Sequence, residues 1–204
     1  MKRLSLLYFT LIFLSSSTGY YAQKTVNKDN FTFVAKEEKG DLNNDKKLDK
    51  VIVEMDLKDE TRPLRLRIFL SQSNSKISKL VISSTKIIES QYPKRKNGEH
   101  NGNNIPDFFI EEGNLQMLTD INNLKSRYTF KFQNGNFELI NISRVIWDGK
   151  NKTSETEINL VKGTKVEFDQ ELGSDKILNK RQKSLKFKIL PKLQDLTFSQ
   201  LEMY

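Results

Sequence analysis

Residues 128–142 read Tyr-Thr-Phe-Lys-Phe-Gln-Asn-Gly-Asn-Phe-Glu-Leu-Ile-Asn-Ile, two alternating runs on either side of Asn134-Gly135. This dipeptide favours a two-residue type I′ turn between antiparallel strands. Apolar pairs then share one face, and an ion pair lies on the other, so the stretch predicts an antiparallel hairpin. The predicted cross-strand pairs are Gln133–Asn136, Phe132–Phe137, Lys131–Glu138 and Phe130–Leu139.

The same alternation continues outward from this hairpin. Residues 64–70 place apolar side chains on one face and Arg65 and Arg67 on the other, as a half-buried strand does. Gly149 and Gly163 mark two more hairpin turns. The sequence therefore predicts a mainly β fold with little helix, either an antiparallel sandwich or a strongly curved sheet. Further strands are predicted at residues 30–35, 51–57, 80–83, 108–111, 115–118 and 184–190, and short helices at 172–180 and 193–204.

The first 22 residues have the three-part layout of a secretory signal peptide. Residues 1–3 are Met-Lys-Arg, residues 4–14 are an apolar run, and small residues follow. A membrane-spanning helix needs about 20 predominantly apolar residues, so this run is too short for an anchor. We expect cleavage after Ala22, or alternatively after Gly19. The remaining residues 23–204 are predicted to form a single β-rich domain, secreted or periplasmic, without a transmembrane segment.

Charge and cysteine content limit the chemistry and the partners that the protein can have. The chain has 34 Lys and Arg residues against 26 Asp and Glu residues, and it has no cysteine. Disulfides, thiol catalysis and a lipid on an N-terminal cysteine are therefore excluded. For an exported basic protein, an anionic polymer or an envelope component is the more suitable partner, and nucleic acid is not expected because no recognised module is present. Solubility alone also accounts for such a charge.

Basic residues concentrate in residues 176–188, which we call the basic segment. The strand predicted at 184–190 would carry Lys186 and Lys188 on its outer face. Such a face can bind an anionic partner, and on an edge strand it also prevents edge-to-edge association. The cations of the segment are Lys176, Lys180, Arg181, Lys183, Lys186 and Lys188.

An acidic loop precedes the strand predicted at 51–57. The stretch GDLNNDKKLD at residues 40–49 places oxygen-bearing side chains at loop positions one, three, five and nine, the spacing with which a short loop surrounds Ca²⁺. We call residues 41–49 the acidic loop. The predicted ligands are the side chains of Asp41, Asn43 and Asp45, the backbone carbonyl of Lys47, and Asp49, either directly or through a water.

The acidic loop departs from an EF-hand at two positions. Lys46 takes the place of the glycine at position six, and Ile52 takes the place of the bidentate Glu at position twelve. A left-handed backbone at a non-glycine residue costs about 1 kcal/mol or more. The alternative is a turn closed by its own side-chain-to-backbone hydrogen bonds. If the loop binds calcium, we expect a Kd of about 10⁻⁴ to 10⁻³ M.

Two resemblances rest on these residues. Residues 40–54 resemble the calcium loop and following strand of FG-GAP (integrin-like) and VCBS repeats, and residues 66–70 are similar to the second strand of such a unit. More broadly, the chain resembles small secreted proteins of unknown function from Gram-negative bacteria, which pair a GDLNxDxxxD loop with a later hairpin like that at 130–140. The first resemblance implies a calcium loop, and the second implies export.

Catalytic motifs are scarce in this sequence. It has no Gly-x-Ser-x-Gly motif, and its sole histidine, His100, lies in the polar loop 91–104. The residues that a zinc cluster or a Ser-His-Asp triad requires are therefore not all present. Trp147 could stack on a sugar together with Tyr92 and Tyr128, or it packs in the core or on a hairpin. The acids that a glycosidase-like pair could use are Glu37, Glu38, Glu111, Glu112, Glu155 and Glu157.

The expected function is therefore non-catalytic. The first hypothesis is an exported β-rich protein with a binding or structural role, stabilised by calcium at residues 41–49. A second hypothesis is a binding module that holds an anionic polymer or envelope component through the basic segment. A carboxylate-dependent hydrolase is the third, and a cleft with convergent carboxylates would distinguish it from a binding module.

Overall fold

The computed structural model describes residues 29–72 and 77–204, and the fold is mainly β, as the sequence predicts. The predicted signal peptide at residues 1–22 lies outside the described residues. Helical structure in the described chain comprises 3₁₀ turns at Lys94–Lys96 and Leu193–Asp195 and one helix, α1 (Phe198–Glu202). The strands are β1 (Phe31–Gly40), β2 (Asp49–Asp56), β3 (Leu64–Leu70), β4 (Lys79–Ser84), β5 (Asp107–Glu111), β6 (Asn114–Ile121), β7 (Leu124–Gln133), β8 (Asn136–Trp147), β9 (Lys152–Asn159), β10 (Thr164–Glu171) and β11 (Ile177–Ser184).

The strands form two antiparallel sheets, each a meander in which every strand pairs with its neighbour in sequence. The small sheet has the order β1-β2-β3-β4, and the large sheet runs from β5 to β11 without a crossover. Antiparallel neighbours need only short turns, so local turn residues specify most of this topology. The segment 85–106 links the two sheets and contains the predicted polar loop 91–104.

One hydrophobic core joins the two sheets. Val53, Leu66 and Ile68 contribute from the small sheet, and Phe130 and Leu139 contribute from the large sheet, all fully buried. Strand β3 buries every second residue, as its alternation predicts. Both sheets therefore turn one face towards this core.

The central hairpin has the predicted register. All four predicted pairs form between β7 and β8. Asn134 and Gly135 have φ angles of 52° and 72°, the two positive values of a type I′ turn. The expected ion pair is absent from the described residues, because Glu138 is buried and accepts a hydrogen bond from Gln133 at 2.5 Å instead.

Two secondary-structure predictions near the basic segment are wrong. Residues 172–180 form no helix, since β11 begins at Ile177 and pairs along β10. Residues 185–190, predicted to belong to a strand, lie beyond the end of β11. Leu185 and Phe187 nevertheless pack against the core. The apolar alternation therefore reflects burial, although residues 185–190 do not belong to a strand. The helix predicted at 193–204 is limited to a 3₁₀ turn and α1.

The edge strands β1 and β5 meet where the two sheets come together. A side chain at Gly40 would place its Cβ 2.7 Å from Cγ2 of Ile110, so only glycine fits this contact. Lys36 and Asp107 form an ion pair at 2.6 Å across the same junction. Strand β1 continues to Gly40, past the predicted end at residue 35, because residues 36–40 pair with β2.

Within residues 29–72 and 77–204, no helix has the length and apolar character required to span a membrane.

Candidate functional site

The acidic loop is closed by the carboxylate of its first residue. Asp41 accepts the backbone N–H groups of Asn43 and Asp45 at 3.2 and 3.1 Å and that of Lys46 at 2.7 Å. Burial alone would raise the pKa of Asp41, but these N–H donors together hold it below its ordinary value. Asp41 is therefore a charged acceptor that holds the loop in one conformation.

The last residue of the acidic loop is buried. Asp49 is only 1% exposed and accepts the backbone N–H groups of Leu42 and Ser71, each at 2.8 Å. Burial raises the pKa of Asp49, the two N–H donors oppose that shift, and the carboxylates of Asp45 and Asp41 raise the pKa further. Asp41 and Asp45 are thus close enough to Asp49 to repel its carboxylate.

The structure brings the predicted ligands into one loop but not into a recognisable metal cage. No group of three or more His, Cys, Asp or Glu side chains in the described part of the chain is arranged to hold a metal ion. Asn43 accepts the N–H of Asp45 at 3.1 Å, and Asp45 accepts that of Lys47 at 3.0 Å. These bonds match the self-closed turn that the sequence left open as the alternative.

The backbone of the loop has the sharp turn that its sequence disfavours. Lys46 has a φ of 66°, and Asn44 has a φ of 60°. Both residues therefore lie in the left-handed region, which is less unfavourable for Asn than for Lys. The substitution of lysine for glycine at position six leaves the turn intact at an energetic cost.

The basic segment lies at the free edge of the large sheet. Lys176 pairs with Glu171 at 3.2 Å. The other five cations are exposed, and their side chains form no hydrogen bond or ion pair with residues 29–72 or 77–204. Lys186 and Lys188 follow the end of β11 and do not form the predicted strand face. The five unpaired cations are Lys180, Arg181, Lys183, Lys186 and Lys188.

A polar groove of about 590 Å³ lies beside the basic segment. Glu167, Asp169 and Arg181 are among the side chains that line it. Asp169 accepts hydrogen bonds from Asn179 and Ser154, which hold its pKa below the ordinary value. A bond from Lys165 lowers the pKa of Glu167 in the same way. Both groups stay ionised, so neither is suited to be the general acid that a glycosidase requires.

The other acids proposed for a glycosidase do not converge. Glu37 and Glu38 are neighbours on β1, and neighbouring residues in a strand point to opposite faces. Glu111 ends β5 and accepts a hydrogen bond from Gln116 at 2.9 Å, while Glu112 lies in the β5–β6 turn. Glu155 and Glu157 lie on β9, at a distance in sequence and topology from the other four.

The sole histidine and the aromatic residues have separate environments. His100 accepts the N–H of Gly102 at 3.0 Å and contacts the Tyr92 ring edge-on at 5.3 Å. Tyr128 is buried, whereas Trp147 is 57% exposed at the end of β8. The three residues Trp147, Tyr92 and Tyr128 therefore do not form one sugar-stacking surface.

Sequence reasoning missed a second charged feature, a cluster on the outer face of the small sheet. Glu54 is buried and contacts Arg65 at 2.5 Å and Arg67 at 3.1 Å. The guanidinium groups stack on Phe31 and Phe69, at 4.5 and 4.6 Å from the ring centroids. The alternation of residues 64–70 places both arginines on this face, but it does not predict that Glu54 lies opposite them.

Comparison with protein-family models, with curated proteins and with solved structures gives no match for this chain.

Proposed function

We propose that this protein is an exported, non-catalytic binding domain that holds an anionic polymer or envelope component through its basic segment. The observation that carries the proposal is the set of five exposed cations at the sheet edge, none of which forms a hydrogen bond or a close ion pair within residues 29–72 and 77–204, although Arg181 lies opposite Glu167 in the β10–β11 register. Export to the periplasm or the cell exterior is supported by the signal-peptide layout of residues 1–22.

The arrangement of charge favours a polymer over a single small anion. The cations extend along the chain from β11 into residues 185–188, and Lys180 and Arg181 also line the polar groove. Charges spread over this length of chain suit a repeating polyanion, whose groups can contact several cations at once. Lys183 also lies opposite Lys165 in the β10–β11 register, and like charges in that position repel each other. A bound anion would relieve this repulsion.

Calorimetric titration with dextran sulfate tests the proposal, with uncharged dextran as the reference polymer. The test variant replaces Lys183, Lys186 and Lys188 with glutamine. Each exposed charge contact contributes up to about 1 kcal/mol, so we expect the test variant to bind dextran sulfate at least about tenfold more weakly.

A matched control separates the position of the charges from their number. This variant replaces Lys58, Lys79 and Lys94 with glutamine, three exposed lysines that lie away from the basic segment. The control should bind dextran sulfate as the wild type does. Equal weakening in both variants would mean that only net charge matters, and the proposal would then be wrong.

The acidic loop supports a second candidate role, that of a structural calcium site. Each carboxylate has about four acceptor positions. Asp45 uses two of them, for the side-chain amide of Asn43 and the N–H of Lys47, and Asp49 uses two, for the N–H groups of Leu42 and Ser71. The repulsion of Asp49 by Asp41 and Asp45 is what a bound cation would reduce. Calcium is the suitable ion because all the candidate ligands are oxygen atoms.

Thermal unfolding in EDTA and in millimolar calcium tests this second role. Binding to the folded state adds RT ln(1 + [L]/Kd) to the free energy of unfolding, so even a weak site raises Tm at high calcium. The wild type should gain stability, and a variant with Asp41→Ala and Asp45→Ala should not. If the two proteins respond equally, the loop is a hydrogen-bonded turn without a metal.

A further inference from the structure

A cleft of about 520 Å³ lies on the outer face of the large sheet, far in sequence from the basic segment. Strands β6, β7 and β8 form its floor, and residues 104–107 form one wall. Its volume is within the range of small-molecule sites, about 300–1,000 Å³. We call it the outer-face cleft and define it by Ile105, Leu118, Lys125, Arg127, Ser143 and Val145.

The register of the strands places these side chains in two adjacent rows. Leu118, Arg127 and Ser143 are direct cross-strand partners and form one row. Lys125 and Val145 are partners in the next row, and residues two apart in a strand share a face. The cleft is therefore built by hydrogen-bonded strands and does not depend on a loop conformation.

The cleft has apolar side chains among its polar ones, and these apolar side chains are incompletely covered. Ile105, Leu118 and Val145 are all half-buried, so each still presents apolar surface to solvent. Pro106 is buried beside Ile105 and closes the wall. An apolar chain of moderate length would remove this surface from water, at about 25 cal/mol for each Å² buried.

Two cations line the cleft, Lys125 and Arg127, and neither forms an ion pair within the described part of the chain. Asp107 is paired with Lys36 at 2.6 Å, and Asp120 lies directly opposite Lys125 in the β6–β7 register. Both carboxylates thus have a cation nearby. Arg127 is exposed, lies between Leu118 and Ser143, and forms no hydrogen bond or ion pair with the described part of the chain.

We infer that the outer-face cleft binds a small amphiphile with one carboxylate. The apolar part of the ligand lies on Leu118, Val145 and Ile105, and its carboxylate accepts two hydrogen bonds from the guanidinium of Arg127. The planar guanidinium matches a carboxylate in this two-point geometry, which a neutral head group cannot reproduce. Ser143 provides a further hydroxyl donor on the same row.

Calorimetric titration with octanoate tests this inference, with 1-octanol and acetate as partial ligands. Octanoate should bind with one molecule per chain. Octanol and acetate should each bind at least about tenfold more weakly, because each lacks one of the two interactions. Backbone amide shifts in the NMR spectrum of the wild type should change at Leu118 and Val145 when octanoate is added.

Two variants and one control locate the interaction. Arg127→Gln should weaken octanoate binding about tenfold or more, since a charge-assisted pair is lost. Val145→Glu should abolish it, because a carboxylate is introduced into the floor. Arg181→Gln removes an arginine from the other end of the same sheet and should leave binding unchanged. This control also tests whether octanoate binds at the basic segment instead of the cleft. The function proposed for the basic segment does not depend on the cleft.

Several results would overturn the inference. It fails if octanoate shows no saturable binding up to about 10 mM, or if octanol binds as tightly as octanoate. It also fails if Arg181→Gln weakens binding as much as Arg127→Gln, or if the amide shifts fall outside the cleft. If a variant does not fold, the wild-type shift map and the octanol comparison still decide the matter.

Discussion

At the scale of single residues, the acidic loop combines stabilising and destabilising charges. Asp41 is held in its charged form by the N–H groups that it accepts, whereas Asp49 is buried beside two other carboxylates. Lys46 has a left-handed backbone that a side chain disfavours. The same loop therefore contains groups whose substitution should change stability in opposite directions.

Replacement of Lys46 by glycine should stabilise the protein. The φ of 66° at Lys46 costs a side-chain-bearing residue about 1–2 kcal/mol, and the extra freedom of glycine in the unfolded chain offsets about half of that. We expect a net gain of about 0.5–1 kcal/mol in the free energy of unfolding, measured by urea denaturation. Lys47→Gly is the matched control, because Lys47 does not have a positive φ; it should lose stability. A loss of stability in Lys46→Gly would contradict the assigned turn.

The carboxylate of Asp49 should make stability fall as pH rises. Its folded pKa is raised above the ordinary value of 3.8, so the folded state holds the proton more tightly than the unfolded state does. Its stabilising contribution is complete below the unfolded pKa and is lost as pH rises through the folded pKa. The stability of the wild type relative to Asp49→Asn should therefore decrease from about pH 4 to pH 7 in EDTA.

Asp148 gives the control of opposite sign for this pH experiment. The N–H groups of Lys150 and Lys152 lower its pKa, so its contribution is present above the unfolded pKa and is lost as pH falls. The stability of the wild type relative to Asp148→Asn should fall as pH decreases below about 4 and should change little between about pH 4 and pH 7. Parallel curves for the two variants would show that the burial of Asp49 is wrongly described.

At the scale of elements, turn chemistry and alternation determine the hairpins. The positive φ angles at Asn134 and Gly135 and the register of β7 with β8 could be predicted from the sequence, because both depend on neighbouring residues. The strand predicted at 184–190 is wrong for the opposite reason. Its alternation reflects contact of Leu185 and Phe187 with the core, and alternation alone does not specify a hydrogen-bonding partner.

The functional features also divide into those that the sequence predicts and those that it does not. The spacing of Asp41, Asn43 and Asp45 predicts a loop that surrounds a cation or, as the alternative, a turn closed by its own hydrogen bonds, and the structure has the hydrogen bonds of such a turn. The outer-face cleft could not be predicted, since Leu118, Arg127 and Val145 meet only when three strands align. The sequence contains their alternation, but the row shared by Leu118, Arg127 and Ser143 depends on the bulge between Thr129 and Phe130, and Val145 lies in the next row.

The cluster of Glu54 with Arg65 and Arg67 should contribute strongly to the pairing of β2 with β3. Glu54 is only 7% exposed, so its removal leaves two guanidinium groups without their buried partner. We expect Glu54→Gln to lower the free energy of unfolding by about 3 kcal/mol, measured by urea denaturation. Glu37→Gln, which breaks the exposed pair with Lys39, should cause no measurable change. Equal effects would mean that the cluster is not buried in solution.

At the scale of the whole molecule, the two sheets differ in what they leave exposed. The small sheet covers part of the large sheet, and the last three strands of the large sheet extend to a free edge that carries the basic segment. The acidic loop lies at the β1–β2 junction, on the other sheet. The proposed calcium site and the proposed polymer-binding segment thus belong to different sheets, and each can be changed without the other.

An NMR titration of the wild-type protein with short dextran sulfate tests the central proposal most directly, because it locates the contact as well as detecting it. We expect backbone amide shifts to change in residues 176–188, to weaken as salt is added, and to be absent with uncharged dextran. Unchanged shifts in that segment at low salt, or changes centred on another surface, would contradict the proposal that the basic segment is the binding site.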